Sequence, residues 1–473
     1  MSRRWSIALT AMLFVSACAG PLARPEVAAL SAGSMGLAGA DTRAIPAQWW
    51  QSLGDAQLDR IMADALAGNT GLEMALARVR EAQAILGSRR AEDRPQVTID
   101  GQEVRNRLSE KYTIPPPYGG STQWVGDVEA NLSWTLDFWG KQAAAIRQAS
   151  ALRDASALDV DAARLALTGA VAQGYVEFAR ADHVIAVAEA SVAERRRSLR
   201  LVGVRIRSQL ASQIDAKAAE TELAQAEQAL VRARSDRVLA LHALAALAGQ
   251  GADRYADMTS PTLHLDAMVS VPGELPADLL SRRPDIAAAL MRIEAGRQGR
   301  EVARKAFYPN INLVGLLGVQ ALGLGELFGT SAATYGAGAA IHLPVFDGGQ
   351  LRSEHARATA SLDLAVADYN DRVVRAVRET ADALTRVGAA GDDLAAQRDI
   401  VTGLSESRRL DDVRVRSGLS SRLDIIEPEL RLLDARIGLV NLEAQAATNR
   451  IQLLVALGGD FTPQAGPAAP SKS

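Results

Sequence analysis

The chain has 473 residues, enough for more than one compact unit, and its 52 basic and 55 acidic side chains leave a net charge of −3. That balance lacks the basic footprint of a nucleic-acid binder. Aromatic residues are scarce and alanine is abundant, which favours helix. The 5 histidines are scattered without metal-ligand spacing, so no metal site and no cofactor are expected. G-x-S-x-G, phosphate-loop and H-E-x-x-H motifs are absent, and the chain is not expected to be an enzyme.

The N-terminus has the form of a secretory signal over residues 1–17: Arg3 and Arg4 precede an apolar run from Trp5 to Val15. Val15-Ser16-Ala17-Cys18 sets small residues before the only cysteine and resembles the lipobox of bacterial lipoproteins. Cys18 is therefore the expected lipidation site, and Ala19 after it suits export to the outer membrane. Each buried methylene of an acyl chain contributes about 0.8 kcal/mol, so several chains anchor firmly. Residues 18–48, rich in Ala, Gly, Ser and Pro, read as a lipid-anchored tether without a core of its own.

Two similar halves follow, 49–270 and 271–457, with a tail over 458–473. In the first, Asp55 can cap a helix whose apolar residues Leu58, Ile61, Met62 and Leu66 recur at helical spacing. Trp49 and Trp50 read as packing anchors. Pro95 ends the helical stretch. Two strands are then expected within 96–138. The second is the clearer: Trp124, Gly126, Val128, Ala130, Leu132, Trp134, Leu136 and Phe138 share one face, with polar residues opposite. A run of that length extends on the order of 50 Å. From Lys141 a helix without proline leads to a polar turn. Two adjacent heptad seams line it, one through Leu165, Gly169, Ala172 and Val176, the other through Leu167, Val171, Gly174 and Phe178. Two seams let one helix pack between two neighbours. The second half repeats this plan: a helix from Arg283 to Phe307, two strands within 309–347, and a second long helical hairpin.

The hairpin turns are near-copies. VRIRSQLASQID spans 204–215 and VRVRSGLSSRLD spans 413–424. Gly418 suits a left-handed turn; Gln209, its counterpart, does so less readily, so the tips are expected to differ slightly in shape.

No apolar run outside the signal reaches eighteen residues, so no transmembrane helix is expected. The alternating strands are nonetheless long enough to cross a bilayer. In lipid only helices and closed barrels satisfy the backbone, and four strands cannot close a barrel wide enough for a channel. If they span a membrane, several chains build one barrel.

These features are joined by WWQSLGDAQLDRIMADALAGN (49–69), LSWTLDFWGK (132–141), LPADLLSRRPDIAAALMRIEAGR (275–297), AFYPNINLVG (306–315), LPVFDGGQLR (343–352) and ALGGDF (456–461). Together they resemble the TolC-like outer-membrane efflux factors, in their lipoprotein branch of the NodT or OprM type. The resemblance implies a mainly α fold with a β-barrel part. Each chain of a homotrimer would give four strands to a twelve-stranded membrane barrel and long helical hairpins to a periplasmic α-barrel. An equatorial belt would come from segments near 19–54, 249–283 and 457–465. The implied partners are a periplasmic adaptor, an inner-membrane pump of the resistance-nodulation-division type and outer-membrane lipid, with no nucleic acid. The implied role is a passive exit duct for drugs or other small solutes.

Family members narrow the tunnel beside the second tip. The resemblance places a periplasmic gate at Asp424 and Glu427; Pro428 and Leu430 depart from the family pattern. A ring of like charges needs compensation from cations, protons or basic neighbours, and Arg422 and Arg431 are the candidates. Asp424 can also be only a helix cap, and Asp215 is read as a cap alone. The adaptor-docking ends would be Arg205, Arg207, Ser208 and Leu210 in the first tip, and Arg414, Arg416, Ser417, Gly418 and Leu419 in the second. A type I protein-secretion duct or a heavy-metal efflux duct on the same fold, and a lipid-anchored periplasmic coiled-coil scaffold, are the competing readings.

Overall fold

The computed structural model describes residues 22–31, 33–35, 37, 45–111, 114–263 and 278–461. The signal, Cys18, much of the 18–48 stretch, part of the linker between the halves and the end of the tail lie outside the described residues. In chain order the elements are α1 (Ala56–Gly68), α2 (Thr70–Glu92), β1 (Gln96–Arg107), β2 (Thr122–Leu136), α3 (Lys141–Arg207), α4 (Gln213–Leu247), a one-turn α5 (Leu279–Arg282), α6 (Pro284–Lys305), β3 (Asn310–Leu322), β4 (Ala333–His342), α7 (Gln350–Arg416) and α8 (Ile426–Ala456). The chain falls into two compact units, each drawing on both sequence halves: one from residues up to 29, 78–156 and 289–369, the other from 30–77, 157–288 and 370 onward.

The first unit holds one antiparallel sheet in the order β1-β2-β3-β4. Its register carries the period-two pattern across all four strands. Val97 pairs with Leu132, which pairs with Gly315; Leu317 pairs with Ala130 on one side and Tyr335 on the other. One face is thereby mainly apolar, with Glu103 and Arg105 breaking it at the far end of β1, and it is open: Ile99, Leu317, Tyr335 and Ile341 are all exposed. The opposite face carries Thr98, Asp100, Gln102, Asp127, Glu129 and Asn131. β4 ends at His342, so Leu343 and Val345 fall past the strand they were expected to extend. Below the sheet Trp139 stacks on Tyr308 with ring centroids 5.3 Å apart, and its indole N–H donates to the Pro309 carbonyl at 2.8 Å.

In the second unit the helices lie side by side in the order α4-α3-α8-α7, and the two seams of α3 explain why. A methyl group at Gly169 would meet Val455 of α8 at 2.6 Å, and one at Gly174 would meet Leu244 of α4 at 3.1 Å. The seam through Gly169 thus faces α8, and the seam through Gly174 faces α4. Small residues allow this close approach on both flanks. Polar contacts follow the same order: Arg237 pairs with Asp182 between α4 and α3, Arg180 donates to Asn441 between α3 and α8, and Gln397 donates to the Ala435 carbonyl between α7 and α8.

The helix expected to run to Pro95 is two helices, because Asn69 leaves helical geometry. Its side chain caps α2 at Leu72 N–H (2.9 Å) and donates to the Leu247 carbonyl at the end of α4 (2.8 Å). Asp55 caps α1 as expected, accepting from Gln57 N–H; it also accepts from the Tyr175 hydroxyl at 2.6 Å and Thr262 N–H at 2.7 Å. Burial alone would raise its pKa, yet these donors hold it below the ordinary carboxylate value. Trp49 and Trp50 are buried, as packing anchors should be. The stretch read as a coreless tether contributes Leu37 to a core with Leu279, Leu453 and Leu457. Its glycine-rich composition masked that one apolar anchor.

The duplication is geometric as well as sequential. α3 and α7 each have 67 residues. The returning helices end alike: Gln250 N–H reaches the Ala245 carbonyl and Gly459 N–H reaches the Leu454 carbonyl, each across a left-handed glycine. Those glycines, Gly249 and Gly458, touch the preceding helix break so closely that a methyl group would lie 2.0 Å from the Gly68 or Arg282 carbonyl oxygen. Gly458→Ala combines a forbidden φ with that clash. It should destabilise the protein by about 2 kcal/mol or more, with Gly249→Ala close behind, as measured by chemical denaturation followed by helical circular dichroism.

Candidate functional site

Each tip begins where a long helix runs out of partners for its last carbonyls. At the first tip Gln209 N–H donates to Ile206 O (2.9 Å) and Leu210 N–H to Arg205 O (2.8 Å). At the second, Gly418 N–H donates to Val415 O (3.1 Å) and Leu419 N–H to Arg414 O (2.8 Å). Both are Schellman closures, which require a left-handed residue. Gly418 supplies it at φ 71° and Gln209 at φ 56°. The expected difference in turn shape is therefore absent. Helix closure outweighs the local preference of glutamine, and the disparity is stored as strain at Gln209 instead.

The tips diverge one step later. Ser212 N-caps α4, and Asp215 completes a reciprocal capping box, its carboxylate accepting from Ser212 N–H (2.7 Å) and Ser212 Oγ (2.9 Å). Asp215 is thus the partner of a cap rather than the cap itself. Asp424 copies the arrangement, accepting from Ser421 N–H and Ser420 Oγ, both at 2.8 Å. Yet α8 does not start there. Pro428 has no N–H to give the Asp424 carbonyl, so 422–425 form a turn and the helix begins at Ile426, with Pro428 in its first turn.

This separates the two gate carboxylates. The Ser421 N–H, then the serine hydroxyls, and finally the Arg205 guanidinium of the other tip hold Asp424 below the usual carboxylate range. Backbone and hydroxyl donation from Ser212 does the same for Asp215. Asp424 is thus committed to its own turn. Glu427, exposed in the first turn of α8, makes no side-chain hydrogen bond or ion pair among the described residues. Arg422 and Arg431 form no ion pair there either; the cation that acts on Asp424 is Arg205.

Two neighbours were not legible in the sequence. Arg408 of α7 pairs with Glu429 of α8 just above the second tip, tying the hairpin closed. Leu430, where the family pattern has arginine, is buried with Ile426 and Leu433 against Val187 and Leu201 of α3. The spacing of 426, 430 and 433 was the available signal. Leu210, Ile214 and Leu419 are exposed, as are Arg205, Arg207, Ser208, Arg414, Arg416, Ser417 and Gly418.

The stored strain is measurable. Gln209→Gly should slow hydrogen exchange at Ser208–Leu210, reflecting a gain of about 1 kcal/mol; Gly418→Gln should speed exchange at Ser417–Leu419 by a similar amount. Equal exchange in parent and variants would show that the turn holds no strain.

The likeness to known proteins covers both units. Over residues 61–250 and 275–459 the chain matches the family model described as outer membrane efflux protein. It is 34% identical over 346 residues to the fusaric acid resistance protein FusA of Burkholderia cepacia, which covers 72% of this chain and 65% of that protein. With the multidrug resistance outer membrane protein MdtP of Escherichia coli the identity is 27% over 436 residues, 90% of this chain and 88% of that one. The crystal structure of the outer membrane protein VceC from Vibrio cholerae superposes with a TM-score of 0.80 at 31% identity, covering 88% of this chain and all of that one. The fold is the TolC-like one, and the chain belongs to the outer membrane efflux protein family.

Proposed function

We propose that three copies of this chain close one twelve-stranded barrel in the outer membrane and one helical tunnel beneath it, forming the passive exit duct of a tripartite efflux system. The observation that carries this reading is the sheet itself. It presents a mainly apolar face, interrupted at the far end of β1 by Glu103 and Arg105, and β1 and β4 each leave one edge unpaired among the described residues. Open edges are not tolerated in lipid, so further copies must supply the missing strands. The polar face would then line water and the Trp124/Leu317/Tyr335 face would meet lipid. Acylation at Cys18 would add a second attachment to the membrane. An inner-membrane pump would supply the energy and a periplasmic adaptor would join it to the tips. The relatives' names, which speak of fusaric acid and multidrug resistance, support small organic solutes as cargo. Trimers that resist detergent and heat, with conductance in planar bilayers, are the expected result; a monomer without conductance would sink the proposal.

Within the duct, Glu427 is the better gate residue of the two carboxylates. Three-fold symmetry would gather its uncommitted charge into a ring, where like charges repel and invite cations. Asp424 serves chiefly to hold the turn. Glu427→Gln should therefore change single-channel conductance and cation selectivity while tip exchange rates stay unchanged. Asp424→Ala should instead speed tip exchange, and the double replacement should loosen the closed state most. Unaltered conductance in the double variant would remove the gate from this site.

The exposed leucines, serines and arginines of the paired tips support the reading that an adaptor docks there. Photo-crosslinkers at Ser208 and Ser417 should capture the adaptor in cells, and failure at both positions would count against docking there.

A further inference from the structure

The N-terminal segment that composition marks as a free tether is held to the protein body next to the sheet. Glu26 N–H and Val27 N–H both donate to Oδ1 of Asp363 on α7, at 3.1 and 3.3 Å. Four residues before Val27, the Ala23 carbonyl accepts from Nη2 of Arg300 on α6 at 3.3 Å. The segment is extended and largely exposed, so hydrogen bonds rather than burial hold it. α6 and α7 run antiparallel with Gly296 against Leu362. Asp363 therefore sits near the level of residue 295, and Arg300 lies some five residues, about 7.5 Å, closer to the sheet. Traced from Val27 back to Ala23, the chain is climbing towards the rim where α6 ends at Lys305 and β3 begins at Asn310.

That direction fixes a length. From Ala23 to Cys18 there are five residues, which reach at most about 17 Å. The rest of α6 from Arg300 to Lys305 occupies about 7.5 Å. A leash starting at Ala23 thus attains the rim with only about 10 Å to spare. Were the segment not clamped, the leash would lengthen by several residues and its direction would be lost.

We propose that Asp363 and Arg300 are a clamp for the lipid leash: they hold Ala23–Val27 in extended form and so deliver the acylated N-terminus to the membrane surface beside the Trp139/Tyr308 rim of its own sheet. The clamp turns a flexible tether into a short second attachment to the inner leaflet, at a set position relative to the barrel. This rests on acylation at Cys18, the reading given under the proposed function. The ligand of the clamp is the chain's own backbone, and the partner it presents is a lipid surface.

The test is amide hydrogen exchange on the full-length protein purified from membranes, with the mass of the N-terminal peptide read in the same experiment. In the parent, Glu26 and Val27 should be protected. Asp363→Ala should speed their exchange about five- to tenfold, Asp363→Asn should keep most of the protection because it retains the accepting oxygen, and β2 and β3 amides should not change. Deleting residues 19–21 leaves only Leu22 between Cys18 and Ala23, two residue steps that reach about 7 Å, too short to satisfy lipid and clamp together. That deletion should deprotect Glu26 and Val27 in the acylated protein, and Cys18→Ala in the same background should restore them. Unprotected amides in the parent, or protection indifferent to Asp363→Ala, would overturn the clamp. Protection that survives the deletion in an acylated protein would overturn the short leash. An N-terminal peptide lacking acyl mass would overturn the anchor reading and the leash with it, while leaving the amide result to judge the clamp.

Discussion

A sheet with two open edges and an outward apolar face cannot be left as it is in a membrane. Every unpaired N–H and C=O in hydrocarbon costs several kcal/mol, and β1 and β4 each leave an edge without a partner among the described residues. The requirement runs through the fold. The strands alternate apolar and polar faces over most of their length, with Glu103 and Arg105 on one face and Val314 and Leu316 on the other as exceptions.

The helical part meets the same demand with side chains instead of hydrogen bonds. An α-helix that serves in a curved wall must bury two flanks and leave inner and outer faces polar. α3 does so with glycine and alanine at the closest approaches and larger residues such as Tyr175 and Phe178 between them. The duplicated hairpin then needs a lock at each end. At the ends away from the tips, Gly249 and Gly458 allow the returning helices to touch the breaks at Gly68 and Arg282, and Asn69 and Arg283 donate to the last-turn carbonyls of Leu247 and Ala456. At the tips, paired Schellman turns reverse the chain.

Function follows from where the two copies stop being equal. The turns at 208–210 and 417–419 have the same backbone, so both can present the same outer surface. The helices that follow differ because of Pro428, which delays α8 and leaves Glu427 exposed and unpaired at its start. A duplicated hairpin can thus keep two like turns while exposing an uncommitted carboxylate beside only one of them.

Much of this was written in local pattern. The four strands, the 67-residue helices, the two seams of α3, the Asp55 cap and the paired tips are repeats with periods of two, three and a half, or one hairpin, and such periods survive in a single sequence. What could not be read locally depends on contacts between distant segments. The left-handed Gln209 is decided by helix closure against its own propensity. The burial of Leu430 is decided by Val187 and Leu201 more than two hundred residues earlier, and the pinning of Ala23–Val27 by Asp363 and Arg300 on helices hundreds of residues later. Sequence by itself determined the elements and the doubling, because periodicity is a property of neighbours along the chain. Only the tertiary structure decided which carboxylate is tied up, which is free, and where the N-terminal segment lies, because each of those is settled by a donor or an apolar surface that the fold brings from elsewhere.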